Sequence, residues 1–185
     1  MSIPTLTFFN NKGGVGKTTL VYHLAWMLSL LNVRVLVVDC DPQANLTGAF
    51  IDDEALLSLW EKQGNRDVNT VYESIKPLTA IGDFKAPILQ SVNENLKLIA
   101  GDLSLSSFED HLSEQWGKAL STDTNERAML MLSSFWRMAQ NSANEMQADV
   151  IIFDVGPNLG AINRSILIGT DHVIIPLAAD MFSLQ

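Results

Sequence analysis

Eight consecutive residues constrain this chain most: Lys12-Gly13-Gly14-Val15-Gly16-Lys17-Thr18-Thr19. An apolar run, Ile3 to Phe9, precedes them and is rich in residues that favour strands. A run with helical periodicity, Leu20 to Leu31, follows. A strand, a glycine-rich turn and a helix, in that order, form the context of a phosphate-binding loop. Glycines let the backbone curl until successive N–H groups face one anion, and the helix N-terminus adds its partial positive charge. In such a loop Lys17 reaches the β- and γ-phosphates of a nucleotide, and the Thr18 hydroxyl holds Mg²⁺. The general spacing G-x-x-x-x-G-K-[ST] calls for a glycine where Asn11 stands. Lys12 follows it, so the loop is a variant with a second lysine near its start.

Two acidic motifs accompany the loop. Asp39-Cys40-Asp41-Pro42-Gln43-Ala44-Asn45 ends the apolar run Val33–Asp39. Carboxylates there lie at the C-terminal edge of a sheet, where open α/β folds bind ligands, and Pro42 fixes the turn that leaves the strand. Val150-Ile151-Ile152-Phe153-Asp154 is an apolar strand ending in a carboxylate, the Walker B arrangement. Asp154 suits hydrogen bonds from a Mg²⁺-bound water, because Mg²⁺ keeps most of its waters. Gly156 and Pro157 then shape a loop near the γ-phosphate.

The remaining pattern alternates strands and helices. Strands are predicted at Ile3–Phe9, Val33–Asp39, Asp149–Asp154 and His172–Pro176. Shorter strands are predicted at Ile88–Val92 and Leu96–Ile99, forming either a hairpin or an edge strand leading into an interior one. Helices are predicted at Thr18–Leu31, Asp52–Trp60, Thr70–Ile75, Leu103–Leu120 with an interruption near Gly117, Glu126–Met146 and Gly160–Gly169. In the first, Leu20, Leu24, Met27, Leu28 and Leu31 form the apolar stripe; in the long one, Met129, Leu132, Phe135, Trp136 and Ala139 do. Thr124 or Asn125 caps the long helix, after a loop at Thr122–Thr124. Cys40–Phe50 reads as a polar turn, Gln63–Asp67 as a helix break and Gly82–Pro87 as a loop. His23 reads as a core or surface histidine, not a ligand. The alternation argues for one α/β domain over residues 1–185, a doubly wound and mostly parallel sheet with helices on both faces.

Composition narrows the class. The chain has 185 residues and is 47% hydrophobic, enough for one sizeable core. A net charge of −9 is unlike that of a dedicated nucleic-acid binder. The one cysteine, Cys40, allows no intrachain disulfide and fits a reducing, cytoplasmic setting. Met1 to Thr5 lacks the basic start of a signal peptide, and no apolar run reaches the ~18 residues that would span a bilayer.

Lys12-Gly-Gly-Val-Gly-Lys17-Thr-Thr resembles the deviant Walker A sequence of the ParA/MinD/nitrogenase-iron-protein ATPases. The resemblance is dense at 5–50 and 148–185 and loose at 51–147. It implies an ATP/ADP and Mg²⁺ site formed by Lys12, Gly13, Gly14, Val15, Gly16, Lys17, Thr18 and Thr19, with Thr18, Asp41 and Asp154 serving the metal. It implies that Lys12 reaches across an ATP-dependent sandwich homodimer, as an arginine finger does elsewhere. It implies that Asp41 orients the attacking water, with Asp39 in support. A ParB-like stimulating protein, non-specific DNA binding, a role in plasmid or chromosome partitioning and association with the nucleoid follow from the same resemblance. A lone cysteine cannot supply the iron–sulfur ligands of the nitrogenase branch or the several cysteines of arsenite-pump ATPases. Pro42-Gln43 leans toward ParA, and Val155-Gly156 departs mildly from the family pattern. Asp180–Gln185 resembles the segment entering a helix near the dimer face, or is a plain loop and helix start. Members of the family continue past the point matching Gln185, so the resemblance implies a chain that lacks its C-terminal part. Two other readings share the loop: a switch whose output is a protein partner or membrane, and a ligase or kinase of the dethiobiotin-synthetase type, which needs an acceptor pocket.

Overall fold

The computed structural model describes residues 2–61, 68–80, 82–119 and 126–177. The positions expected at Gln63–Asp67, Thr122–Asn125 and Asp180–Gln185 lie outside the described residues.

Two five-residue strands form the centre. β2 (Val35–Asp39) and β5 (Val150–Asp154) are buried at every position, as apolar parallel strands covered on both faces must be. β1 (Thr5–Phe8) lies beside β5, and β6 (His172–Ile174) beside β1. On the other side β4 (Leu96–Ile99) pairs with β2, and β3 (Gln90–Ser91) closes the edge antiparallel to β4. The order among the described residues is β3-β4-β2-β5-β1-β6. Both readings of the short strands hold together: they form a hairpin, and one member is an edge while the other is interior. The register aligns Phe8 with Asp154 and Asp154 with Asp39, so the loops leaving β1, β5 and β2 emerge side by side.

Helices cover both faces. On one, α1 (Lys17–Leu30) and α2 (Asn45–Phe50) pack on Val35, Val37, Leu96, Leu98, Val150 and Ile152. On the other, α4 (Val71–Ile75), α5 (Phe108–Ala119), α6 (Glu126–Leu132), α7 (Ser134–Glu145) and α8 (Ala161–Gly169) enclose Leu36, Val38, Ile151 and Phe153. The two-residue period of β2 and β5 thus feeds two cores. α3 (Asp53–Glu61) follows α2.

Several sequence expectations are corrected. The face of α1 toward the sheet is Val21, Ala25 and Ser29, whereas Leu20, Met27 and Leu31 are 46%, 51% and 65% exposed. The helix is apolar nearly all round, so periodicity could not define one face; small residues bring its axis close to the sheet. Leu24 and Leu28 do pack at its margin. Cys40–Phe50 is not all turn, because its second half is α2. The helix from Glu126 is interrupted at Ser133, whose hydroxyl donates to Met129 O at 2.7 Å. That bond competes with regular helix geometry. Phe135 and Ala139 are buried as expected, but Met129 is exposed. Leu103–Ser107 is a tighter 3₁₀ turn before α5, and Gly117 does not interrupt that helix. Thr70 caps α4, which runs on into a 3₁₀ turn that includes Pro77. His23 is exposed and its ring stands edge-on to Tyr22.

Candidate nucleotide site

The loop after β1 is held from both ends. Asn10 Oδ1 accepts from Lys12 N at 2.8 Å, and Asn10 Nδ2 donates to Pro176 O at 2.7 Å. Lys17, only 8% exposed at the start of α1, donates through Nζ to Asn10 O at 3.1 Å. Gly14 (φ 75°) and Gly16 (φ 82°) take left-handed conformations that a Cβ would strain. A Cβ built on Gly13, Gly14 or Gly16 meets no atom within 4 Å, so nothing packs against the loop in those directions. That is a cradle of backbone donors at a helix N-terminus, with one buried ammonium at its base.

Three carboxylates line the adjoining strand ends. Asp39 is fully buried; its Oδ2 accepts from Thr47 N at 2.8 Å and Thr47 Oγ1 at 2.7 Å, and its Oδ1 from Asp41 N at 3.3 Å. Burial pushes its carboxyl up to about 6 against those hydrogen bonds. Asp39 thereby caps α2 from outside, which is why no local cap announced that helix. Thr47 Oγ1 accepts in turn from Gly101 N at 2.8 Å. A Cβ on Gly101 would stand 2.9 Å from the Asp39 carboxylate, so the close approach requires glycine. Asp41 is half-buried and accepts from Gln43 N at 3.0 Å through Oδ1.

Asp154 faces the cradle directly. Its Oδ2 accepts from Thr18 Oγ1 at 2.8 Å, while its Oδ1 is buried without a hydrogen-bond partner. Burial pushes this carboxyl up to about 7, helped by the charges of Asp39 and Asp41 and opposed by Thr18 and Lys17. A buried carboxylate oxygen with no donor, beside a hydroxyl and an open anion cradle, fits a hydrated cation with hard oxygen ligands. Among the described residues no cluster of three or more His, Cys, Asp or Glu could hold a metal ion unaided. Mg²⁺ in phosphoryl-transfer sites needs only one or two carboxylates plus substrate phosphates. Cys40, between Asp39 and Asp41, is buried, and burial and the nearby carboxylates of Asp39, Asp154 and Asp41 push its thiol far up, so it stays neutral.

The loop after β5 is tied by residues that the motifs did not flag. Asn163 Nδ2 donates to Gly156 O at 2.8 Å and to Asn158 O at 2.7 Å. Glu109 of α5 accepts from Ala161 N and Ile162 N at the start of α8. Gly156 packs beside Asp41, where a Cβ would lie 3.4 Å from Oδ1. The structure brings Lys17, Thr18, Asp39, Asp41 and Asp154 to one edge, with Lys12 and the glycines in the adjoining loop. Asn10, Thr47, Gly101, Glu109 and Asn163 escaped sequence reasoning, because each acts through contacts and not through a spacing.

A mostly parallel sheet whose strand β1 leads into a glycine loop, with a buried lysine and a threonine–aspartate pair beside it, defines a P-loop nucleotide-binding domain. A family model described as an AAA domain matches residues 3–185. The sporulation initiation inhibitor protein Soj of Bacillus subtilis is 29% identical over 176 residues, covering 95% of this chain and 58% of that protein. A crystal structure from Corynebacterium diphtheriae superposes with a TM-score of 0.87 at 34% identity, covering 98% of this chain and 61% of the other. A plasmid partition protein of Borrelia burgdorferi bound to AMPPNP superposes with a TM-score of 0.69 at 27% identity, covering 100% and 66%. The chain belongs to the ParA family of P-loop ATPases, of which Lys12 and Lys17 carry the deviant loop. It spans about three fifths of the length of these relatives.

Proposed function

We propose that this chain is the nucleotide-binding part of a ParA-type switch that binds Mg-ATP, dimerises around it and hydrolyses it slowly. The observation that carries this reading is the Thr18–Asp154 hydrogen bond at the glycine loop, with Asp154 buried and its Oδ1 unpaired. Backbone N–H groups of Gly13 to Thr19 and the Lys17 ammonium bind the phosphates. Thr18, Asp154 and Asp41 would hold a hydrated Mg²⁺, which would supply charge neutralisation to the phosphates. Asp41 orients a water whose oxygen bonds to the γ-phosphorus as the bond to the β–γ bridging oxygen breaks. The water proton leaves toward Asp41 or the phosphate. Lys12 of the second subunit stabilises the charge spread over the transferring group. Catalysis is then positioning and electrostatics.

Partition proteins among the relatives support a role in moving DNA, with a ParB-like protein stimulating turnover and the dimer binding DNA non-specifically. A second reading, a switch whose output is a protein partner, is favoured by the net charge of −9. A small-molecule ligase is not favoured. The apolar groove of about 370 Å³ between Trp116, Trp136 and Ile168 shares no residue with the phosphate loop or the three aspartates. Among the described residues no helix is long and apolar enough to cross a membrane.

The deciding experiment measures ATP hydrolysis and molecular mass together for the intact protein, wild type and Lys12→Ala. We expect wild type to dimerise with ATP, and Lys12→Ala to bind nucleotide but lose the dimer or the turnover. Wild-type behaviour in the variant would rule out the trans lysine. Retention on DNA that requires ATP and falls steeply with salt would favour partitioning over the protein-partner reading.

A further inference from the structure

We propose that Glu109, on α5, is a positioning residue for the γ-phosphate chemistry. Its carboxylate fixes the start of α8 and, through it, the loop that runs from Asp154 past Asp41. This role presupposes the ATPase reading above.

Glu109 Oε1 accepts from Ala161 N, and Oε2 accepts from Ile162 N at 3.1 Å. These are the first two N–H groups of α8, which have no partner within the helix. Gly160, at the cap position, has no side chain to serve them. The cap therefore comes from 52 residues away in the chain. A carboxylate also suits the positive end of the α8 dipole. Gly160 leaves room for it: a Cβ there would stand 2.5 Å from Glu109 Oε1 and 2.9 Å from Asn158 Oδ1. From this anchor the loop is laced backward. Asn158 Oδ1 accepts from Gly160 N at 2.9 Å, and Asn163 holds the carbonyls of Gly156 and Asn158. Gly156 then lies against Asp41. A groove of about 340 Å³, lined by Pro42, Ser106, Glu109, Asn158, Gly160 and Ile162, opens beside the contact. The hydrogen bonds of Glu109 go to the start of α8, so it acts through the loop and not on the phosphate. α5 belongs to the layer encoded between residues 51 and 147, where the family pattern is loosest. Glu109 gives packing changes in that layer a direct route to the loop after Asp154.

The test uses the intact protein with Glu109→Ala, Glu109→Gln and Gly160→Ala. Hydrogen exchange without nucleotide reads the contact. Amides across 155–162 should exchange at least about tenfold faster in Glu109→Ala and Gly160→Ala, with residues 10–20 unchanged. Turnover reads the consequence. We expect kcat for ATP to fall about tenfold in Glu109→Ala, and less in Glu109→Gln, which keeps one acceptor. Nucleotide affinity should stay within about twofold, because the cradle and Lys17 are untouched. Unchanged exchange across 155–162 overturns the contact. Unchanged kcat, or loss of kcat and affinity in equal measure, overturns the positioning role. Should wild type fail to hydrolyse ATP, the ATPase reading fails on its own, and exchange still upholds or overturns the contact.

Discussion

Asp154 is 1% exposed, and its carboxyl is pushed up to about 7, first by burial and then by Asp39; buried Asp39 rises to about 6. Unfolded aspartates titrate near about 4, so the folded chain holds extra protons between about pH 4 and pH 7. Stability contributed by these two groups is present at the acid end of that window and is lost as pH rises through it. Asp83, Asp149 and Asp171 are lowered by hydrogen bonds from Arg137, Arg34 and Thr5, and act at more acid pH. The nucleotide-free protein should therefore melt at a lower temperature at about pH 8 than at about pH 5, with the slope flattened in Asp154→Asn. Scanning calorimetry across that range measures this, and a melting temperature that climbs instead would contradict raised carboxyls. Lys17 and Thr18 were legible in the sequence because a phosphate loop sets those residue types at a fixed spacing, and Asp154 because it ends an apolar strand. Glu109 and Asn163 were not, since an amide or carboxylate that caps a distant loop carries no spacing.

α2 shows how an element can depend on a contact from outside it. It has six residues and no side-chain cap of its own, too short for periodicity to reveal. Thr47 joins it to the end of β2 through Asp39, and its Oγ1 accepts directly from Gly101 N after β4. Thr47→Val keeps the shape but leaves Gly101 N–H without its acceptor and removes one donor from Asp39. We expect a loss of about 2–3 kcal/mol in denaturant unfolding. A loss under about 0.5 kcal/mol would mean that water replaces the hydroxyl and the network is dispensable. The rotation of α1 was equally hidden. Its leucines surround the axis, and the geometry of the loop before it selects Val21 and Ala25 as the inner face.

Over the whole molecule, one sheet separates two cores, and successive residues of the same strands serve them. Val37 faces α1 while its neighbour Val38 faces the α4–α8 layer. Neither layer can melt without exposing the back of the other, so unfolding of the described region should be one transition. Phe135, fully buried and edge-on to Phe108 at 6.2 Å, tests this. Phe135→Ala should cost about 3–5 kcal/mol. Trp26 reports on the α1 side and Trp116 on the other, and in single-tryptophan versions both should show the same shifted midpoint. Separate midpoints would show two independently folding layers. The sequence by itself determined the alternating α/β class, the phosphate loop and the carboxylates at the ends of β2 and β5, because burial on both faces and anion binding each impose a strict local pattern. Only the tertiary structure decided the strand order, the inner face of α1, the helix after Asp41 and the anchoring of the loop after Asp154, because these depend on atoms brought together from distant parts of the chain.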